Sequence, residues 1–300
     1  MTSLYARTAV LFLSSIALNA ASLTIGFETG QGYNTGSING QNGWFVANAN
    51  YDQGVTSAAA HSGTQSFRWS NTVSDGIVQS IVAPNLGTCS GETGATCTGG
   101  STALTPGFNH FSQDFWFRSA STTSDAGLSV NLSVDDGSGR RMSFFRIIDD
   151  GGSLDTFYLP YDANIQDFPA LAVQTGLTWG TWYHALVDVT LVNGSNNDVV
   201  KVYLGTSAVL GAGDLKVTST TWEQYYPDNQ PQGTPIGANT SLMRLGASAN
   251  GNKVQGVYLD DLTYTSNSSA AVPEPATFGL LGISLIGLAL WSRLVTGRRS

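Results

Sequence analysis

In the stretch Trp182 to Leu191, Tyr183, Ala185, Val187, Val189 and Leu191 fall on one side of an extended chain, and Trp182, His184, Asp188 and Thr190 fall on the other. Side chains that repeat every two residues fit a half-buried β-strand and no helix. Phe111 to Arg118 repeats the pattern, with Phe111, Gln113, Phe115 and Phe117 opposite Ser112, Asp114, Trp116 and Arg118. Arg141 to Ile148, Val199 to Leu204 and Val257 to Thr265 read as further strands, and no long segment between the chain ends keeps a helical period. The Asn193-Gly194-Ser195-Asn196-Asn197 turn joins two of these strands into a hairpin, and Asp-Asp-Gly signals at 135–139 and 149–152 punctuate others. Many short strands between Gly-, Asn- and Ser-rich turns imply an all-β, two-sheet sandwich of jelly-roll type. Its first strand, Ser22 to Glu28, is expected to pair with its last.

The two ends do not belong to this pattern. Arg7 precedes an apolar run from Ala9 to Leu18, followed by small residues at Asn19-Ala20-Ala21-Ser22. That run is too short to span a bilayer and has the form of a signal peptide over residues 1–21, cleaved after Ala20 or Ala21. At the other end, Val272-Pro273-Glu274-Pro275 precedes the uncharged stretch Ala276 to Trp291, and Arg293, Arg298 and Arg299 close the chain. As a helix, residues 276–295 reach about 30 Å, one hydrocarbon thickness. The terminal arginines place the C-terminus on the cytoplasmic side. The proline pair keeps the entry segment out of the helix. Residues 22–265 then form the sandwich, 266–271 a short linker and 272–300 a tail.

Pro-Glu-Pro, an apolar helix and a basic end, in that order, resemble the PEP-CTERM sorting signal. The resemblance implies export across the inner membrane of a Gram-negative-type cell. It implies transient anchoring through the tail, processing by the membrane protease exosortase, and delivery to the cell surface or to a biofilm matrix rich in exopolysaccharide. Pro273, Glu274 and Pro275 would be the residues recognised.

Between the ends, residues 22–271 hold nine Lys and Arg against twenty Asp and Glu, a net charge of −11, and seventeen of those acids are Asp. Such a balance argues against nucleic acid and anionic lipid as partners. Cys89 and Cys97 are the only cysteines, and export allows them to close a nine-residue disulfide loop. No histidine stands beside them to suggest a metal pair.

A second resemblance spans most of residues 22–265. Gly26-Phe27-Glu28, the Gly40-Gln41-Asn42-Gly43-Trp44 turn, His61-Ser62-Gly63-Thr64-Gln65-Ser66-Phe67 and Tyr258-Leu259-Asp260-Asp261-Leu262 follow the order seen in concanavalin- and laminin-G-like sandwiches and carbohydrate-binding modules. In such modules a Glu ending the first strand and an Asp in the last hold a structural Ca²⁺. Here that implies Glu28 and Asp260, with a carbonyl near Gly63. Calcium takes six to eight oxygens, which such a set begins to supply. Asp260 is read on one face with Tyr258, Leu262 and Tyr264, where a carboxylate needs a partner or a cation.

Flat rings beside polar groups suggest sugar binding, at Trp116 between Asp114 and Arg118, and at Trp222, Tyr225 and Tyr226. Core packing is the commoner fate of such rings. No acidic pair facing one cleft, Gly-x-Ser-x-Gly or His-Glu-x-x-His is legible. His61, His110 and His184 stand apart in the sequence and read as structural. The expectation is therefore a non-catalytic surface or matrix domain, with a carbohydrate-binding module and a glycan-active enzyme as alternatives. The protein released by cells is expected to show, by intact mass, loss of the leader and a C-terminus near 272–275. In cells lacking exosortase the full tail should remain, and a released protein that still ends at Ser300 would contradict the tail assignment.

Overall fold

The structure, a computed structural model, describes residues 21–42, 44–46, 53–70, 81–82, 110–135, 141–160, 162, 167–190, 198–220, 240–246 and 254–267. The leader, Cys89 and Cys97, Trp222, Tyr225 and Tyr226, and the tail with Pro273, Glu274 and Pro275 lie outside these residues. In chain order the strands are β1 (Ala21–Ile25), β2 (Gly36–Ser37), β3 (Phe45–Val46), β4 (Gln53–Thr56), β5 (Ser66–Trp69), β6 (Ile81–Val82), β7 (His110–Ser119) and β8 (Leu128–Asp135). They continue with β9 (Arg141–Asp149), β10 (Leu154–Leu159), β11 (Leu171–Leu177), β12 (Tyr183–Thr190), β13 (Val199–Gly205), β14 (Leu215–Ser219), β15 (Thr240–Gly246) and β16 (Val257–Asn267). The helices among the described residues are two single 3₁₀ turns, Thr29–Gln31 and Ala212–Asp214, so none is long and apolar enough to cross a membrane.

The strands form two antiparallel sheets, as the alternation requires. The first runs β14-β13-β12-β7-β16-β5-β4-β2 with β1 also on β16; the second runs β11-β10-β9-β8-β15-β6-β3. The hairpin expected around residues 193–197 is β12–β13, and the expected closure of first strand on last is β1–β16, with Ala21 opposite Ser266 and Ile25 opposite Leu262.

Alternation sends Gln113, Phe115 and Phe117 of β7 and Tyr183, Ala185, Val187 and Val189 of β12 inward, all of them buried. Phe145 of the facing sheet meets Phe115 and Phe117 edge-on, with centroids 5.4 and 6.0 Å apart, so the two sheets share one core. Phe27, Tyr33, Trp44 and Phe67 close one end as an aromatic cluster, in which the Trp44 indole N–H donates to the Tyr33 hydroxyl at 2.9 Å. That bond satisfies the polar edge that burial of a tryptophan otherwise leaves stranded.

One expectation about β16 is corrected. Asp260 pairs with Trp116 of β7, but the next pair is Thr263 with Asp114, so β16 carries one extra residue. Asp261 takes it up at φ 48°. An extra residue reverses the side-chain phase beyond it. Val257 and Leu259 face the core before this bulge and Leu262 and Tyr264 after it, all buried. Asp260 therefore shares the outer face with Tyr258 and not with Leu262 and Tyr264. The bulge also marks where the free side of β16 changes partner, from β5 at Leu259 to β1 at Leu262.

Gly256, just before β16, has φ 83°, and a Cβ built there would lie 1.9 Å from the carbonyl oxygen of Trp69. Gly256→Ala combines a left-handed conformation with a backbone clash. It is expected to cost at least about 2 kcal/mol and to lower Tm by about 4–8 °C. An unchanged melting curve would contradict this close approach.

Candidate functional site

The outer face of the first sheet is built around the bulge. The loop 61–65 lies over it, held by three carboxylates. Asp260 Oδ2 accepts from the amides of His61 at 2.7 Å and Ser62 at 3.3 Å, while Oδ1 accepts from the amide of Asp261 at 2.8 Å. Asp261 accepts from the Ser62 hydroxyl at 2.6 Å and holds His61 Nδ1 at 2.7 Å. On the loop's far side, Glu28 accepts from the amides of Thr64 and Gln65 at 2.7 and 2.9 Å and from the Thr64 hydroxyl at 2.9 Å. Gly63 has φ 61°, and a Cβ there would lie 2.3 Å from Glu28 Oε1, so only glycine lets the loop pass this close.

Glu28, Gly63 and Asp260 thus meet at one loop. Their carboxylates are filled by N–H and O–H donors. Among the described residues, no three His, Cys, Asp or Glu side chains lie together as metal ligands.

The loop sets His61 on Trp116, with centroids 3.6 Å apart and planes at 14°. His184 covers the other face of the same indole at 4.7 Å and 9°. Trp116 is 7% exposed, so this ring serves as the middle of an internal stack and turns neither face to solvent. Trp182 stands edge-on to His61 at 5.7 Å and is partly exposed. It is the ring of this group that reaches the surface.

The three histidines, apart in the sequence, are each paired with an aspartate by the fold. His61 meets Asp261, His110 meets Asp188 and His184 meets Asp114. The partners lie 200, 78 and 70 residues apart, so the chain order gives no sign of them. His184 Nε2 lies 2.8 Å from Asp114 Oδ1 and Nδ1 lies 2.9 Å from the Ser207 carbonyl. Two acceptors need two ring protons, which favours the imidazolium. Burial opposes that charge, but the bonds to Asp114 and Ser207 outweigh it and hold the pKa above the usual value. The Trp116 face also favours a cation stacked upon it. His61, by contrast, meets Asp261 through Nδ1 alone, and no second partner engages Nε2 among the described residues; 26% of the side chain is exposed.

The Asp260 carboxyl is pushed up to about 7, chiefly by burial and further by the adjacent Asp261 charge, against the opposing amide bonds. Burial also acts to raise Glu28, but three hydrogen bonds overcome it and hold this carboxylate below its usual value.

The neighbouring outer row reads Arg68, Tyr258, Arg118 across β5, β16 and β7. Tyr183 pairs with Phe117, which puts Trp182 next to Arg118. Arg118 is half-buried, and its Nε is fully occluded with no hydrogen-bond partner. The face thus combines a partly exposed ring, an imidazole with an open nitrogen, a phenol and an uncommitted guanidinium.

Residues 271–293 match the PEP-CTERM protein-sorting motif. The chain carries this sorting signal, which marks an exported protein anchored to the membrane before processing. No curated protein matches the chain. Among solved structures, the sandwich is similar to a mutant of the alginate lyase Aly36B in complex with alginate trisaccharide, at 13% identity over 81% of this chain and 97% of that one, with a TM-score of 0.48. It is also similar to an endo-β-1,4-glucuronan lyase from the fungus Trichoderma reesei, at 13% identity over 80% and 96% of the two chains (TM-score 0.40). A third likeness is to a carbohydrate esterase of the Shiga toxin-encoding bacteriophage phi24B, at 12% identity over 75% and 91% (TM-score 0.46). The expectation of a non-catalytic domain is corrected here, because these structures are named as lyases and an esterase. At such identities the likeness concerns the fold and carries no activity to this chain.

The pH dependence of stability follows from the shifts. Asp260 and His184 both hold protons more tightly folded than unfolded, so each contribution is present at low pH and lost as pH rises through its folded pKa. Glu28 acts oppositely, losing its contribution as pH falls through its lowered pKa. Tm is expected to peak in the mildly acidic range and fall towards pH 8. Asp260→Asn should flatten the decline between about pH 4 and 7, and an unaltered slope would contradict the placement of Asp260.

Proposed function

We propose that this protein is sent to the cell surface or extracellular matrix by its PEP-CTERM tail, with exosortase processing the tail, and that its sandwich engages an extracellular polysaccharide on the outer face of the first sheet. The observation that carries the reading is the grouping of Trp182, His61, Tyr258 and Arg118 on one face. Sugar-binding sites join an apolar ring to a few convergent polar groups, and this group has that make-up. Trp116, the ring singled out in the sequence, supports the site from beneath by stacking on His61. The segment with Trp222, Tyr225 and Tyr226 remains a proposed second contact.

A second reading, action on the polysaccharide, is favoured by one specific feature. Asp261 orients His61 through Nδ1 and leaves Nε2 open, the arrangement a general acid or base requires. Tyr258 and Arg118 stand in the next row, where a proton donor and a charge stabiliser would be needed.

The calcium ion implied at Glu28, Gly63 and Asp260 is likewise a proposal. The backbone of Gly63 lies against the Glu28 carboxylate, and a cation would relieve the burial of Asp260. The loop amides already bound to both carboxylates would have to give way. Metal content and the melting curve with chelator test it; no metal and no shift would remove it.

The mature protein is expected to be retained on one or more polysaccharides from the producing matrix, with Trp182→Ala weakening retention about tenfold. Shortened chains or new reducing ends that disappear in His61→Ala would establish the second reading. No retention by any polymer would overturn the proposal.

A further inference from the structure

We infer that the polysaccharide bears acidic groups and that Arg118 holds one of them through its guanidinium; this rests on the reading of the outer face given above. A guanidinium presents five N–H donors in a planar fork that matches an oxyanion. Most arginines on a sheet face spend those donors on carboxylates or on water. Among the described residues Arg118 makes no hydrogen bond and no ion pair; its Nε is occluded from solvent, and the side chain is half-buried, so the outer nitrogens of the fork are the donors an oxyanion can reach.

Among the described residues, no acid forms an ion pair with this cation. Asp114, Asp188 and Asp261 on the same face are each committed to a histidine. The oxygens of Asp260 face the amides of His61, Ser62 and Asp261. Arg68, two strands away, turns Nε and Nη2 to the backbone and side chain of Gln255 at 3.2 and 3.0 Å. In a domain whose net charge is −11, these described acids of the outer face thus have partners other than Arg118.

The Nη2 end of the fork lies beside the turn at Gly180, where an added Cβ would come within ordinary contact of it at 3.7 Å. Trp182, partly exposed beside it, gives a sugar ring something to rest on while its acidic substituent reaches Arg118.

The overall negative charge does not forbid this. At physiological ionic strength charges are screened beyond about 8 Å, so a polyanion reads the local face. The shared chemistry is an oxyanion on a sugar, either a carboxylate, as in a uronic acid, or a sulfate ester.

The test uses the mature protein with polyuronates, the same polymers after chemical reduction of their carboxyl groups, and sulfated glucans. Retention is expected on at least one acidic polymer and should weaken as salt is raised. Arg118→Gln should weaken it tenfold or more and reduce the salt dependence, and Arg118→Lys should restore it only in part. Loss of retention on carboxyl reduction assigns a carboxylate, whereas retention on sulfated glucans alone assigns a sulfate. Equal retention of native and carboxyl-reduced polymers, with no sulfate preference, overturns the inference and leaves the polysaccharide reading standing. Retention of no polymer overturns both. The carboxyl-reduction arm needs no variant and decides the matter even if Arg118→Gln fails to fold.

Discussion

The outer face depends on the grip of three carboxylates on one loop. Glu28 holds its far end, while Asp260 and Asp261 hold its near end through the amides and side chains of His61 and Ser62. A loop of five residues has little hydrophobic area with which to fix itself, so charge-assisted bonds to its amides do this work. The grip is possible only because β16 bulges at Asp261. Without the extra residue, Asp261 would turn to the core side and Leu262 to the outer side, and the paired aspartates would not converge beneath the loop. Bulges are common where a sheet must re-aim side chains beside a functional site, and here the bulge coincides with the handover of β16 from β5 to β1.

From this grip the chemistry of the face follows in layers. The loop carries His61 onto Trp116, whose opposite side rests on a His184 whose pKa its acceptors raise. His184 is locked between Asp114 and Ser207, whereas His61 is engaged by Asp261 through Nδ1 alone. Asp114, Asp188, Asp260 and Asp261 are each matched to a histidine or to loop amides, and among the described residues none of them pairs with Arg118. An acidic protein can in this way present a local cationic point without a basic surface.

Much of the architecture was legible in the sequence. The alternation in Phe111 to Arg118 and Trp182 to Leu191 gave the strands and their inward faces, the Asn-Gly-Ser-Asn-Asn turn gave the hairpin, and the first and last strands pair as expected. The sorting tail was legible because its three parts come in a fixed order. The face of Asp260 was misjudged because a bulge leaves no mark in a period-2 count: Asp260-Asp261 reads as an ordinary strand step. The histidine–aspartate pairs could not be read because strand order, and not chain order, brings them together. Trp116 was selected for its polar neighbours Asp114 and Arg118, but alternation cannot report that a distant loop lands on it; Trp182, one residue outside the hairpin strand, took the exposed place. The non-catalytic expectation rested on missing acidic pairs and nucleophile motifs, and such a search does not see a histidine oriented by an aspartate 200 residues away.

The central claim is that the loop grip at the bulge builds a polysaccharide contact on the outer face of the first sheet. Its most direct test is a crystal structure of the mature protein with an oligosaccharide cut from whichever polymer retains it. The account expects a sugar ring against Trp182 within reach of His61 Nε2, with its acidic group on Arg118. A sugar bound on the second sheet or at a loop tip, with Arg118 still unpaired and the outer face bare, would contradict it.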